Sequence, residues 1–387
     1  MVFINTCKIV VFVGKQNGLA TIARGISSKA MRHRTQAEPK PAPFPYKEKR
    51  YNFFRALFDP TPARLDENSK LIVVEGVTGA GKANLARELA AELDMAYFAA
   101  PTQAEAYINE YGFNLKTLDP ELPLTCKSYD ENDFLKNPYL LDGTKAARFQ
   151  LGKMMKRYKR YLEALAHILN SGQGVVMDRS PYSDFVYIDA MAEQGLVSKN
   201  IQKFYHRVRD NAMFALWRPH LVIYLDVPVA EARRRIEARN RPNEKESPAT
   251  TVAYLQSMEK AYKEKFLKEM SVSSEVVVYD WTQVGDPEIV VEDLERLDLD
   301  KYTIYDTQMS DWRRQDKWDW NNSRQIFSYD QQYLLNYFNV PATSCGEINY
   351  PPEDYNIMAR ILMNAPGQKY AKGYNADMGD KGLLFKL

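Results

Sequence analysis

The feature that most constrains this chain is the passage from Leu71-Ile72-Val73-Val74-Glu75 into Gly76-Val77-Thr78-Gly79-Ala80-Gly81-Lys82-Ala83, followed by a helical pattern with Leu85, Leu89 and Leu93 on one face. A buried strand, a glycine-rich turn and a helix in that order aim loop N–H groups and a positive helix end at one point in space, with Lys82 adding a full charge. The spacing fits G-x-x-x-x-G-K-[ST] at every fixed position but the last. There a hydroxyl would hold Mg²⁺, and Ala83 has none to offer. A phosphate-binding loop is expected at Gly76, Gly79, Gly81 and Lys82, with its metal ligand missing.

Four further apolar runs lie within 95–100, 174–180, 220–227 and 275–281, and helical patterns cover about 145–170 and 197–216. Continuous apolarity marks strands covered on both faces, and strands alternating with helices predict an α/β fold: a doubly wound, five-stranded parallel sheet over 70–297. Residues 35–69, Pro-rich and charged at QAEPKPAPFPYKEKR, are expected to be a linker. After 298 the βα rhythm stops. Residues 298–387 are aromatic and polar, with Trp312, Trp318 and Trp320 close together and a short helix near Tyr355–Met363. They read either as an extension wrapped on its own domain or as an arm that docks on a partner.

Residues 1–34 hold Lys8, Lys15, Arg24, Lys29, Arg32 and Arg34, and the first acid is Glu38. A basic, acid-free, serine-containing N-terminus reads as a mitochondrial transit peptide, with cleavage near residue 26. Without it the chain is close to neutral, so nothing in the overall charge points to a nucleic acid partner. No run approaches the ~18 apolar residues that span a bilayer. Cys7, Cys126 and Cys345 form no framework or metal cluster, and the four histidines lack ligand spacing. No metal site is expected.

Five passages, taken in order, resemble the deoxyribonucleoside kinase family over about 70–270: EGVTGAGKA; Phe149-Gln150 within a long helix; Asp178-Arg179-Ser180 with Tyr182-Ser183-Asp184; HLVIYLDVPVAEARRRIEARNRPNE, which carries Arg235, Arg239 and Arg241; and the helix from Tyr254. The resemblance implies that Gln150 pairs with a nucleobase edge, that Arg179, Arg239 and Arg241 approach phosphate, and that Asp178 is a vestigial metal or site carboxylate. It also implies a glutamate base before a proline at the end of the second strand, where this chain has Ala100-Pro101. A positioned base contributes about 10²–10⁴-fold in rate. With Ala83 and Ala100 both lost from one reaction centre, no catalytic residue is expected; Glu75 and Glu105 are the only substitute bases in view.

The transit peptide, the kinase-like region and the C-terminal PGQKYAKGYNADMGDK together are similar to the kinase-type accessory subunits of mitochondrial complex I, the NADH:ubiquinone oxidoreductase. That resemblance implies a non-catalytic, peripheral subunit on the matrix side of the inner membrane, supporting assembly or stability. Its partners would be other complex I subunits, met through residues 298–387 and the N-terminal linker. It requires no cofactor, and a bound (deoxy)nucleotide is compatible with it. Descriptions of such subunits attach FAD, but Asn84 stands where a dinucleotide fingerprint needs its third glycine. An active mitochondrial deoxynucleoside kinase and a nucleotide-sensing module are the alternatives.

Overall fold

The computed structural model describes residues 25–34, 40–303 and 305–381. Most of the expected transit peptide, residues 1–24, lies outside them. Within the rest of that expected segment the chain is already part of the domain. Ile26 is buried in the main core, Ser27 exchanges hydrogen bonds with the Asn68 side chain at 2.8 and 2.7 Å, and the Ser28 N–H donates to Glu295 at 2.9 Å.

The segment expected to be a linker is also packed. Phe44, Tyr51 and Ala56 make a small second core, and α1 (Phe53–Phe58) begins on Asn52, whose side chain accepts from the Arg55 N–H. Proline keeps residues 40–45 from forming a helix, but Phe44 between two prolines, with Tyr51 after them, anchors the chain.

The sheet then begins with β1 (Leu71–Gly76), in which every residue is buried. Then come α2 (Lys82–Glu92), β2 (Ala96–Phe98), α3 (Thr144–Ser171), β3 (Val175–Asp178), α4 (Phe185–Glu193), α5 (Lys199–Met213), β4 (Leu221–Asp226), α6 (Val229–Ala238), α7 (Val252–Ala261) and β5 (Glu275–Asp280). The strand order is β2-β3-β1-β4-β5, all parallel. The apolar runs thus form a five-stranded parallel sheet, as their continuity implies. The two edge strands, β2 and β5, each have one neighbour and are only partly buried. The path from β3 to β4 steps across β1, which places the carboxyl ends of β1 and β3 beside a natural ligand crevice.

The 28-residue α3 lies against the sheet through Met154, Tyr158, Leu162, Leu165 and Leu169, all fully buried. It ends at Gly172 (φ +76°), where a Cβ would meet the Arg64 carbonyl oxygen at 2.0 Å. Only glycine permits both that conformation and that approach.

The C-terminal extension wraps its own domain. Trp217 is boxed by Trp312, Trp320 and Phe327 with ring centroids 4.9, 5.7 and 5.2 Å away, and the Trp312 indole N–H donates to the Arg218 carbonyl at 2.7 Å. α8 (Lys317–Tyr329) lies along α3 and also meets the N-terminal segment: Asn321 accepts from the Thr61 N–H and hydroxyl, both at 2.9 Å. Arg324, wholly buried, donates to Asn170 at 2.7 Å, stacks on Tyr51 at 3.7 Å and shares Asp59 with Arg64. Further on, Arg148 holds the carbonyls of Ile348 and Asn349 at 2.8 and 2.7 Å, just before α9 (Pro352–Met363). Among the described residues, no helix is long and apolar enough to cross a membrane.

Candidate functional site

The loop after β1 has the geometry its glycines imply. Gly79 sits at φ +92°, and a Cβ there would meet the Ala232 carbonyl oxygen at 2.7 Å; Gly81, also at φ +92°, starts α2. Lys82 is buried, and its ammonium donates to the Val77 carbonyl of the same loop at 2.7 Å. Burial drives its pKa well below the usual lysine value, and the Arg179 charge pushes it the same way. The cation therefore curls into its own loop, where a phosphate would compete for it. Ala83, one residue along α2, offers only a methyl group.

Glu75 has no solvent exposure, and its carboxylate accepts from the Ser180 N–H and hydroxyl, each at 2.8 Å, and from the Tyr262 hydroxyl at 3.2 Å. Tyr262 opens a π-helical turn, Tyr262–Phe266, that continues α7. Burial raises the Glu75 pKa against the pull of those bonds. With three donors converging on it, Glu75 clasps β1, β3 and the α7 run together and is not free to take a proton from substrate. Glu105 is no better placed: Thr102 and Arg160 hold it at the surface, and although burial opposes them their bonds and charge keep it below the usual carboxylate range.

Ala100 lies just past β2, half-buried. Next to it, Lys153 donates to the Pro101 carbonyl at 2.6 Å and to Glu131 at 2.7 Å. Burial, then the Arg157 charge, lowers this lysine to about 8.

Gln150 is buried on α3 and donates to the Asp184 carboxylate at 2.9 Å. Asp184, fully buried, also accepts from the Tyr205 hydroxyl at 2.6 Å and pairs with Arg157. The carboxamide expected to read a base is thus engaged within the protein. Motif reading does not reveal Lys153 and Arg157; the signal is periodicity, since positions 150, 153 and 157 share one helix face.

Arg179 neither braces Asp178 nor pairs with Asp184. It has a left-handed backbone (φ +68°), a conformation that costs a non-glycine residue energy. Its guanidinium lies 4.8 Å over the Tyr187 ring and makes no hydrogen bond or ion pair among the described residues. Asp178 beside it keeps one buried carboxylate oxygen unpartnered. The lid arginines are divided. Arg235 is tied to Glu231 at 2.8 Å and to the carbonyls of Trp281 and Thr282, Arg239 pairs with Glu244 at 2.9 Å, and Arg241 is exposed.

The arrangement therefore gathers Lys82, Arg179 and Asp178 at the carboxyl ends of β1 and β3, with Gln150 one layer deeper and Arg239 and Arg241 on the lid. It has the glycine-rich loop and cations expected of a phosphate cradle, but neither a hydroxyl at position 83 nor a carboxylate at position 100. No group of three or more His, Cys, Asp or Glu side chains among the described residues is arranged to hold a metal.

The chain is similar to several known proteins. The deoxynucleoside kinase family model matches residues 72–308. The mitochondrial NADH dehydrogenase [ubiquinone] 1 alpha subcomplex subunit 10 of Mus musculus is 36% identical over 338 residues, 87% of this chain and 90% of its own. Deoxyguanosine kinase of Dictyostelium discoideum is 30% identical over 60% of this chain and 72% of its own. A solved deoxyadenosine kinase from M. mycoides with bound dATP aligns with a TM-score of 0.43 and 21% identity, covering 58% of this chain and 98% of that one. With the family model matching residues 72–308 and the subunit 10 relative covering 87% of the chain, this chain belongs to the deoxynucleoside kinase family, alongside the alpha subcomplex subunit 10 proteins.

Proposed function

We propose that the protein is a non-catalytic accessory subunit of the mitochondrial NADH:ubiquinone oxidoreductase, peripheral on the matrix side of the inner membrane, supporting the assembly or stability of the complex. The observation that carries this is the reach of the similarity. The subunit 10 relative covers 87% of the chain, against 60% for the Dictyostelium kinase, so it takes in much more than the kinase-like region. Ala83 and Ala100 support the absence of turnover. Phosphoryl transfer is mostly positioning and charge stabilisation, and both the metal ligand and the base are gone. In this reading the protein needs no cofactor and carries no redox chemistry, and FAD has no role.

The test is migration of the native protein from gently solubilised mitochondria on a native gel, read by mass spectrometry. Co-migration with the NADH-oxidising complex is expected. Migration as a small free species would overturn the reading and make a working deoxynucleoside kinase the first alternative.

A second reading fits inside the first. Arg179, held unpaired beside a loop with phosphate-binding geometry, favours a nucleotide retained without turnover, as a stabilising input. A nucleotide released on denaturing the purified protein is the expected outcome, and Arg179→Ala should abolish it.

A further inference from the structure

α1 contradicts the usual direction of apolar burial. Of its six residues only Ala56 is buried; Phe54 is 74% and Phe58 is 89% exposed, with Phe53 and Leu57 open beside them. Trp318, at the start of α8, stacks on Phe53 at 5.4 Å with rings 10° from parallel, and is itself exposed. Four aromatic rings and a leucine contiguous in water mark a surface meant to be covered.

The patch is held firmly. Tyr51, buried just before it, donates to the Asp59 carbonyl at 2.8 Å and is covered by Arg324, and Thr61 just after it is fixed on Asn321. Its flanks are basic. Arg55 lies on α1 itself, the Lys317 ammonium sits 5.2 Å over the Trp318 ring, and Lys47, Lys49 and Arg50 precede α1 in the chain; Arg50 pairs with Asp330 at 3.9 Å, while Lys47 and Lys49 have no ion pair among the described residues. The nearby acids include Glu48, Asp316, Asp319 and Asp330; Asp330 pairs with Arg50, and Asp316 is turned inward, accepting from the N–H groups of Trp318 and Asp319 at the start of α8.

We propose that α1 and Trp318 form a membrane-docking face, which sets the rings into the interfacial layer of an anionic phospholipid bilayer while the surrounding lysines and arginines meet its phosphates. This rests on the peripheral inner-membrane location proposed above. Three features favour a bilayer over a protein surface. The patch is a protruding helix face and not a groove. Phe53, Phe54, Leu57 and Phe58 carry no polar atom to guide a specific fit. Lys317 lies on the Trp318 ring and the chain entering and forming α1 is rich in lysine and arginine, a combination of aromatic residues and cations also found in interfacial helices drawn to anionic lipid.

The experiment uses the purified full chain and vesicles of phosphatidylcholine with about one-fifth phosphatidylglycerol, their acyl chains brominated. Trp217, Trp281 and Trp312 are buried and Trp320 is half-buried, so quenching by the brominated chains reports mainly on Trp318. The expected result is quenching that Trp318→Phe removes, and vesicle binding weakened about tenfold or more by Phe54→Ser/Phe58→Ser. Those two side chains leave the core untouched, and an unchanged thermal midpoint confirms the variant's fold. Lys49→Glu/Arg50→Glu should weaken binding to the anionic vesicles and leave the weak binding to pure phosphatidylcholine as it was.

Binding without quenching, or binding that the double serine variant retains in full, would overturn the proposal and assign the attraction to other basic residues. No vesicle binding, with loss of the double serine variant from the NADH-oxidising complex on a native gel, would overturn it in favour of a protein occupant. The parent chain's own position on that gel tests the accessory-subunit reading separately.

Discussion

At the scale of single residues, the proposed loss of phosphoryl transfer turns on two methyl groups. Ala83 and Ala100 are visible in the sequence because the motif and the Xaa-Pro pair fix where a hydroxyl and a carboxylate belong. The sequence does not show how fully the remaining polar groups are engaged. Lys82 bonds to its own loop, Gln150 to Asp184 and Glu75 to Ser180 and Tyr262. Such pairings depend on which side chains the fold brings within about 3 Å, and no spacing rule supplies that. Ala83→Ser alone and Ala100→Glu alone should leave phosphoryl transfer from ATP to deoxynucleosides at background, since either missing group by itself costs about 10²-fold or more. Only the double variant has both parts. Turnover in either single variant, measured with radiolabelled ATP, would mean that the reaction centre is still competent.

At the scale of elements, the sheet was legible and its surroundings were not. Buried parallel strands announce themselves as apolar runs, and β1 through β4 occupy the expected stretches. The N-terminal segment and the extension lack such periodicity. Their structure comes from isolated anchors: Phe44, Tyr51, Trp312, Trp320 and Phe327. Composition reports that aromatic residues are present but not where they dock, which is why residues 35–69 read as a linker and 298–387 stayed open between two readings. The box around Trp217 is the central joint of the extension. Trp217→Ala should lower stability by about 3–5 kcal/mol, and limited proteolysis should then cut first between residues 300 and 330. A variant that kept the parent's cleavage pattern would show that the extension is held elsewhere.

At the scale of the whole molecule, burial of ionisable groups sets the response to pH. Lys145, Lys153 and Lys156 are each lowered to about 8, by burial first and then by Arg148, Arg157 and Lys153 respectively. Between about pH 8 and 10 the unfolded chain keeps protons that the folded one has shed, so stability rises with pH. Above about pH 10 the sign reverses. Burial raises Tyr161, Tyr182 and Tyr262 well above their usual value, so the folded state holds protons that the unfolded state gives up. Denaturant midpoints across this range should climb, peak between about pH 9 and 10, and then fall. Lys153→Met should flatten the climb by about 1 kcal/mol after screening. A monotonic fall from neutral pH would refute the assignment of these lysines.

The shared carboxylate of Asp59 has a consequence in time as well as in space. Arg64 and Arg324 meet on it, and Thr61 waits for Asn321, 260 positions later. A chain delivered N-terminus first therefore carries its opening segment unfinished until nearly its last residues emerge. Such distant closure is among the slow events of folding. A copy shortened anywhere before Asn321 leaves Arg64 and Asp59 wet and α1 without its floor. The opening segment is thus completed only by a copy that extends past Arg324, and only such a copy can present a rigid α1 face to whatever receives it.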